Sequence, residues 1–185
     1  HAEAAAMDAD PAFRALSGNI VFPGFTAPKL AWMRNAEPEL FAAARKVLLP
    51  KDSLRLWLTG EYVGEMSDAA GTSWLETGAR DWSDTLLEKT HLTRDHMPRL
   101  VEGSEVSGGL RAAVANQFGL TPGLPVAGGG GDNAASAIGA GVVRAGQAFV
   151  SLGTSGVLFA ANDGYQPDAD TAVHTISHAL HGTWH

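Results

Sequence analysis

The segment PVAGGGGDNAASAIGAG, residues 125–141, places four consecutive glycines between a short apolar run and an alanine-rich stretch. This order predicts a strand, a tight turn and then a helix built on small residues. Glycines allow another group to approach the backbone closely, because they carry no side chain. Asp132 directly follows the last glycine, so it is expected at the N-terminus of the helix. The segment poses a choice between a phosphate-binding loop and a turn that presents the acid.

Two standard nucleotide-binding loops do not fit this segment. A dinucleotide-binding loop needs G-x-G-x-x-G, and Asn133 stands where the third glycine belongs after Gly128 and Gly130. A Walker A loop needs a lysine after its last glycine, and none follows here. Two interpretations of Asp132 stay open. It caps the helix, or it takes a proton from a bound hydroxyl, and the positive end of the helix would favour its ionised form.

The chain changes character at TPGLP, residues 121–125. Before this point helical patterns dominate, and after it short apolar strands alternate with glycine turns. We therefore expect one domain, or part of one, over residues 1–123 and the start of a second over residues 124–185.

A hairpin is predicted shortly after the glycine segment. The strand patterns AFVSL, residues 148–152, and VLFAA, residues 157–161, are separated only by GTSG. Four residues are too few for a parallel crossover, so the two strands must pair antiparallel. The tip, SLGTSG at residues 151–156, offers backbone N–H groups and hydroxyls that suit phosphate oxygens. A plain glycine turn is the alternative interpretation of the same residues.

Proline and glycine mark the ends of the helices predicted before the boundary. Breaks are expected at Pro11 and near Pro38, which divide two longer helical patterns. Asp52 is a predicted N-cap, and Gly60 and Gly119 are predicted C-terminal stops. The tryptophans of this region are expected to be core anchors, and they are Trp32, Trp57, Trp74 and Trp82.

The composition of the 185 residues suits one or two small packed domains, since 45% are hydrophobic and 18% are charged. The formal charge of -7 and the absence of a basic cluster argue against a nucleic acid or an anionic membrane as partner. The chain has no cysteine, which excludes disulfides and thiolate metal sites and fits a cytoplasmic protein. No apolar run is long enough to span a membrane, and no signal peptide pattern is present.

The histidines near the end of the sequence raise the question of a metal site. They are spaced by four, three and four residues, at His174, His178, His181 and His185. On a helix this spacing would place them on one face, but the surrounding VHTISHAL pattern is β-rich and no acid joins them. We therefore predict strand and surface histidines and assign no metal ligand.

Several separated segments resemble the FGGY family of carbohydrate kinases. GFTAPKLAW, residues 24–32, resembles the first signature of that family. The similarity to its xylulose kinase branch runs in order from about residue 17 to the end, through NIVFPGFTAPKLAW, VLLPKDSLRLWLTGE, SDAAGTSWL, VAGGGGDNAA and SLGTSGV.

The resemblance implies an α/β fold of the actin-like, ribonuclease H-like ATPase type, with an active site between two domains. It implies Asp132 as the general base and Asn133 as a second contact to the sugar. It also implies contacts from Gly153, Thr154 and Ser155 to the phosphates of ATP, with Mg²⁺ held mainly by phosphates and waters.

The activity implied by the resemblance is ATP-dependent phosphorylation of D-xylulose. Phosphorylation of ribulose, gluconate or glycerol is the nearest alternative, and a non-catalytic nucleotide-binding module of the actin type is another. The resemblance leaves open whether the protein forms a homodimer. The family's Asp-x-Gly-Thr phosphate loop is expected before residue 1 and its adenosine segment after residue 185. We therefore expect the chain to be an internal piece that has no kinase activity alone.

Overall fold

The computed structural model describes residues 1–185. The α-helices are α1 Ala2–Asp8, α2 Pro11–Ser17, α3 Thr26–Ala36, α4 Pro38–Ala43, α5 Pro50–Thr59, α6 Met66–Ala69, α7 Asp84–Lys89, α8 Ala112–Phe118 and α9 Asp132–Gly139. The strands are β1 Val63–Glu65, β2 Leu75–Glu76, β3 Asp81–Trp82, β4 Arg99–Val101, β5 Val106–Gly109, β6 Pro125–Ala127, β7 Ala148–Leu152 and β8 Gly156–Ala160.

Proline and glycine bound the helices largely as the sequence predicts. Pro11 and Pro38 stand at the starts of α2 and α4, where a missing N–H costs nothing. Gly60 and Gly119 end α5 and α8 in the left-handed conformation, with φ of 83° and 67°. The predicted cap at Asp52 is wrong, because α5 begins two residues earlier at Pro50. Asp52 lies within the helix as a buried ion-pair partner.

The strands form pairs, of which only one is parallel. β1 lies parallel to β4, while β2 pairs with β3, β5 with β6 and β7 with β8 in antiparallel fashion. The predicted hairpin is confirmed, and its ladder runs from Ala148 opposite Ala160 to Leu152 opposite Gly156. The predicted strand before the glycines is β6, and the helix after them is α9.

The strand predicted in VHTISHAL is wrong. This segment makes only single bridges, such as the one between Ser177 and Trp184. The chain reverses after residue 180, and Ile176 exchanges both backbone hydrogen bonds with His185. The extended residues therefore pair with their own return segment and add no strand to a larger sheet.

The main hydrophobic core lies among the helices of the first part of the chain. Trp74 is fully buried and its Nε1 donates to Thr90 Oγ1 at 2.9 Å. Trp82 is also buried, and it donates to the Pro98 carbonyl at 2.8 Å. These two tryptophans are the predicted anchors, but the same prediction is wrong for two others, since Trp32 is 55% and Trp57 43% exposed.

A smaller apolar cluster packs α9 against the hairpin. Ala137 of α9 contacts a group that includes Val142, Phe159 and Ala161. Phe149 of β7 stacks on Phe159 of β8, with ring centroids 5.1 Å apart. The small residues of α9 thus allow the helix to lie close to the strands that follow it. None of the helices combines the length and the apolar character that crossing a membrane requires.

The glycine turn between β6 and α9 is closely packed. A Cβ added at Gly128 would overlap the carbonyl oxygen of Glu102 and lie 3.0 Å from Val101 Cγ2. Gly129 has φ of +85°, which side chains of other residues rarely tolerate. The groups that approach Gly128 are therefore atoms of the chain itself, whereas Gly129 and Gly130 line a cavity of about 330 Å³.

Substitution of Gly128 by alanine is expected to destabilise the protein by about 1–3 kcal/mol, because the new methyl group has no room beside Glu102. Gly139→Ala is the matched control, since nothing lies within 4 Å of the added Cβ and the residue is helical. Alanine there should be neutral or stabilising by about 0.5–1 kcal/mol. Urea denaturation of both variants measures the difference, and equal free energies of unfolding would contradict the packing explanation.

Candidate active site

Asp132 is the first residue of α9 and is exposed to solvent. Gly131 occupies the N-cap position, so the prediction that Asp132 is the N-cap is wrong by one residue. The carboxylate still satisfies one donor of the first turn, because Asp132 Oδ1 accepts the N–H of Asn133 at 2.7 Å. The other carboxylate oxygen makes no hydrogen bond within the chain, so it is free to accept a proton from a ligand.

The turn that carries Asp132 is held at both ends by side chains from the first part of the chain. The carbonyl of Gly128 accepts a hydrogen bond from Arg55 Nη2. At the other end the N–H of Gly131 donates to Ser67 Oγ at 2.9 Å. Between them, Gly129 donates its N–H to the carbonyl of Gly103 at 2.9 Å. These hydrogen bonds fix the position of the backbone at Asp132.

A charged cluster lies beside this turn. Lys51 Nζ is 3.4 Å from Asp52 Oδ1, 3.4 Å from Glu65 Oε2 and 3.7 Å from Asp68 Oδ2. Arg55 Nη1 forms a second ion pair with Asp52 at 2.7 Å. Glu65 and Asp52 are buried, and burying a charge is favourable only when it is paired and hydrogen-bonded.

The charges of this cluster influence one another, and the charge of Asp132 acts on one of them. Burial raises the pKa of Glu65, while the N–H of Ser67 and the charge of Lys51 act in the opposite direction. Burial also raises the pKa of Asp68, opposed by Lys51 and reinforced by the negative charges of Asp52 and Asp132. The carboxylate of Asp132 thus lies close enough to this cluster to be part of its electrostatics.

Sequence reasoning missed this cluster. It treats Lys51 and Asp52 as a helix start and gives no role to Glu65, Ser67 or Asp68. The spacing of Asp52 and Arg55, three residues apart on one helix, is a signal for an ion pair. Nothing in the sequence, however, shows that the pair is buried against the glycine turn.

The hairpin tip leaves its hydroxyl groups available. Gly153 donates its N–H to the carbonyl of Ser155 at 2.9 Å, which closes the turn. Gly153, Thr154 and Ser155 are exposed, and the two hydroxyls make no hydrogen bond within the chain. A Cβ at Gly153 would meet only Ser155 O, at 3.9 Å, so the approach to this backbone is open. These features suit the oxygens of a phosphate group.

A cavity of about 620 Å³ connects the start of α9 with the hairpin. Asn133 lines it on one side and β8 on the other, together with polar residues such as Asn162, Gln166 and Thr175. The cavity brings Asn133 onto a surface shared with the hairpin. Gly156 also lines it, whereas Asp132, Gly153, Thr154 and Ser155 lie outside its lining.

The histidines of the final segment act mainly as packing groups. His178 is buried, with Nε2 3.2 Å from the Val142 carbonyl, and His185 stacks on Phe159 at 4.0 Å. Burial lowers the pKa of His185 to about 4, with His178 and His174 adding to the shift. The prediction of surface histidines holds for His174 and His181 and is wrong for His178. No group of three or more His, Asp or Glu side chains is arranged to hold a metal ion.

The family assignment rests on residues 4–139, which match the N-terminal domain of the FGGY family of carbohydrate kinases and make up well over half of the chain. The chain belongs to this family. Its α/β structure is therefore that of the actin-like, ribonuclease H-like ATPases, as the resemblance implied.

Several similar proteins are xylulose kinases. The chain is 54% identical to the xylulose kinase of Escherichia coli (strain K12) over 175 residues, which cover 95% of this chain and 36% of that protein. A solved structure of a xyloylose kinase from Brucella ovis is 66% identical, with a TM-score of 0.97 over 98% of this chain and 38% of its own. The xylulose kinase of Rhodospirillum rubrum is 29% identical, with a TM-score of 0.91 and the same coverage. The chain thus spans little more than a third of these relatives.

Replacement of Arg55 by methionine is expected to destabilise the protein by about 3–5 kcal/mol, because it removes the closer ion-pair partner of the buried Asp52 and leaves only Lys51, at 3.4 Å. Arg94→Met is the matched control, since Arg94 pairs with the exposed carboxylates of Asp81 and Asp84. That change should cost about 0–1 kcal/mol. Chemical denaturation compares the two variants, and similar losses would show that the Arg55 pair is not a buried constraint.

Proposed function

We propose that the protein to which this chain belongs transfers the γ-phosphoryl group of ATP to D-xylulose, giving ADP and D-xylulose 5-phosphate. The observation that carries this proposal is the placement of Asp132, an exposed carboxylate at the start of α9 whose backbone is held by Arg55 and Ser67. The relatives named above supply the substrate, since xylulose kinases 54% and 66% identical to the chain are among them.

In the proposed reaction Asp132 acts as the general base. Its free carboxylate oxygen takes the proton of a sugar hydroxyl as that oxygen attacks the γ-phosphorus. A new oxygen–phosphorus bond forms, the bond to the bridging oxygen breaks, and ADP leaves with the electron pair. Such transfers depend mainly on positioning and on charge stabilisation, so a carboxylate on a fixed turn is sufficient.

The remaining site residues are assigned by their position. Asn133, one residue along α9 and facing the cavity, is proposed as a sugar contact. Gly153, Thr154 and Ser155 are proposed to bind the phosphates of ATP, a role for which their free hydroxyls and open backbone are suited. Mg²⁺ would neutralise the phosphate charge and would be held mainly by phosphate oxygens and waters.

We further propose that residues 1–123 are the later part of the N-terminal kinase domain and that residues 124–185 begin the C-terminal one. The match to the N-terminal domain of the family extends past this boundary, to residue 139. The net charge of -7 favours small-molecule substrates over nucleic acids. The absence of cysteine is compatible with a cytoplasmic location, which we include in the proposal.

An ADP-release assay on the full-length protein with a panel of ketoses and polyols tests the substrate. We expect D-xylulose to have the highest kcat/KM among xylulose, ribulose, gluconate and glycerol. A higher kcat/KM for another member of the panel would assign the protein to a different branch of the family. No ADP release with any of them would favour a non-catalytic nucleotide-binding module.

Substitution of Asp132 by asparagine in the full-length protein should lower kcat by about 10²–10⁴-fold, because the amide cannot accept the hydroxyl proton. ATP binding, measured by calorimetry, should be retained. Asp163→Asn is the control, since Asp163 is exposed and makes no side-chain hydrogen bond. Turnover that survives the change at Asp132 would remove this residue from the mechanism.

The isolated 185-residue chain is expected to release no ADP above background in the presence of D-xylulose and ATP. It covers 36% of its Escherichia coli relative, and the proposed site needs groups beyond those described here. The full-length protein at the same concentration is the positive control. Turnover by the isolated chain at a comparable rate would show that these residues contain a complete site.

A further inference from the structure

We propose that Ser67 is a positioning residue for Asp132. Its hydroxyl connects the buried carboxylate of Glu65 to the backbone N–H of Gly131, the residue that directly precedes the proposed base. The inference rests on the proposed function, because it assigns Ser67 a part in the same phosphoryl transfer.

Glu65 is the fixed point of this arrangement. It is 0% exposed, ends β1 and accepts the N–H groups of Ser67 at 2.8 Å and Asp68 at 3.3 Å as the N-cap of α6. Lys51 Nζ approaches the same carboxylate at 3.4 Å. With these partners, the Glu65 side chain has little freedom to move.

The direction of the Ser67 hydroxyl follows from Glu65. Ser67 Oγ donates to Glu65 Oε2 at 2.8 Å, and a hydroxyl has only one hydrogen to donate. The lone pairs of Ser67 Oγ are therefore left to accept, and the N–H of Gly131 lies 2.9 Å away. If the hydroxyl instead pointed its hydrogen at Gly131, it would be repelled by the N–H of that residue. The carboxylate of Glu65 therefore makes Ser67 Oγ an acceptor towards Gly131.

Gly131 links the Ser67 hydrogen bond to the position of Asp132. Its carbonyl accepts the N–H of Ala135 at 2.8 Å, which is the first hydrogen bond of α9. Its N–H is bound to Ser67, so both of its backbone polar groups are engaged. A single peptide bond separates Gly131 from Asp132. Loss of the Ser67 bond would release the N-cap of α9 and the backbone that orients the proposed base.

The neighbouring contacts cannot replace this bond. Arg55 holds Gly128, which lies at the far end of the turn from Asp132. Lys51 forms ion pairs with three carboxylates and makes no hydrogen bond to the glycine run. The chain at Asp68 passes 3.7 Å from the position of a Cβ on Gly131, so the Ser67–Asp68 segment lies directly against the N-cap. Ser67 supplies the hydrogen bond to that segment.

The experiment compares three variants of the full-length protein. Ser67→Ala should lower kcat for D-xylulose about 10–100-fold, because small misplacements of a reacting group have effects of this size. The KM values for sugar and ATP should stay within about threefold, since Ser67 binds neither substrate in the proposed mechanism. Ser67→Thr, which keeps the hydroxyl, should recover most of kcat. Ser136→Ala, an exposed serine on α9, should leave kcat unchanged.

A structural readout accompanies the kinetics. Hydrogen exchange of the peptide covering residues 128–135 should be faster in Ser67→Ala than in wild type and unchanged in Ser136→Ala. Thermal unfolding confirms that each variant is folded at the assay temperature. A folded Ser67→Ala protein with wild-type kcat overturns the proposal. So does a loss that appears only in KM, or a Thr variant as impaired as the Ala variant.

The outcome separates this proposal from the proposed function. If wild type phosphorylates D-xylulose and Asp132→Asn is inactive, a fully active Ser67→Ala protein removes only the positioning role. If wild type phosphorylates no sugar, the proposed function fails and the catalytic role of Ser67 fails with it, even where the exchange of residues 128–135 responds to the substitution.

Discussion

The buried guanidinium of Arg55 is the constraint on which this part of the structure depends. It binds the carboxylate of Asp52 and the carbonyls of Val63 and Gly128. One side chain therefore joins α5, β1 and the glycine turn. A buried charge of this kind is tolerated only when its donors are satisfied, so the three elements must meet in one arrangement. The position of the turn, and of the acid that follows it, is a consequence of that requirement.

The glycine run has a different meaning in the structure from the one its sequence suggests. Four residues without side chains look like space for a ligand, but at Gly128 that space is occupied by the chain's own atoms, while Gly129 and Gly130 line a cavity of about 330 Å³. Gly128 lies against the Glu102 carbonyl, and Gly130 lies near Ala179. Close packing at Gly128 holds the start of the turn against the chain. In the proposed function, the exposed carboxylate at the end of the turn is the group that faces the ligand.

Local patterns in the sequence predicted the elements well and their surroundings poorly. Pro11, Pro38, Gly60 and Gly119 act through backbone conformation alone, and the predicted boundaries at these residues are confirmed. The hairpin is confirmed for the same reason, since its short connection leaves no alternative.

Burial depends on which elements meet, and this explains the wrong predictions. Trp32 and Trp57 have the same side chain as Trp74, but their helices present them to solvent. The sequence did not predict the charged cluster around Lys51, because most of its members are separated in sequence. Asp132 was found from its place after the glycines, and its role there stays a prediction.

The contacts of α9 differ in kind between its two sides. Its N-terminus is fastened to residues of the first part of the chain by hydrogen bonds, which weaken steeply when donor and acceptor shift. Its flank meets Phe159 and Ala161 through apolar contacts, which are not directional. If the two parts of the chain move relative to each other, sliding is easier on the apolar side. Asp132 follows the proposed boundary at residue 123 but would then move with the first part, to which the hydrogen bond of Gly131 fastens it. Its separation from Thr154 is the distance that such a motion would change.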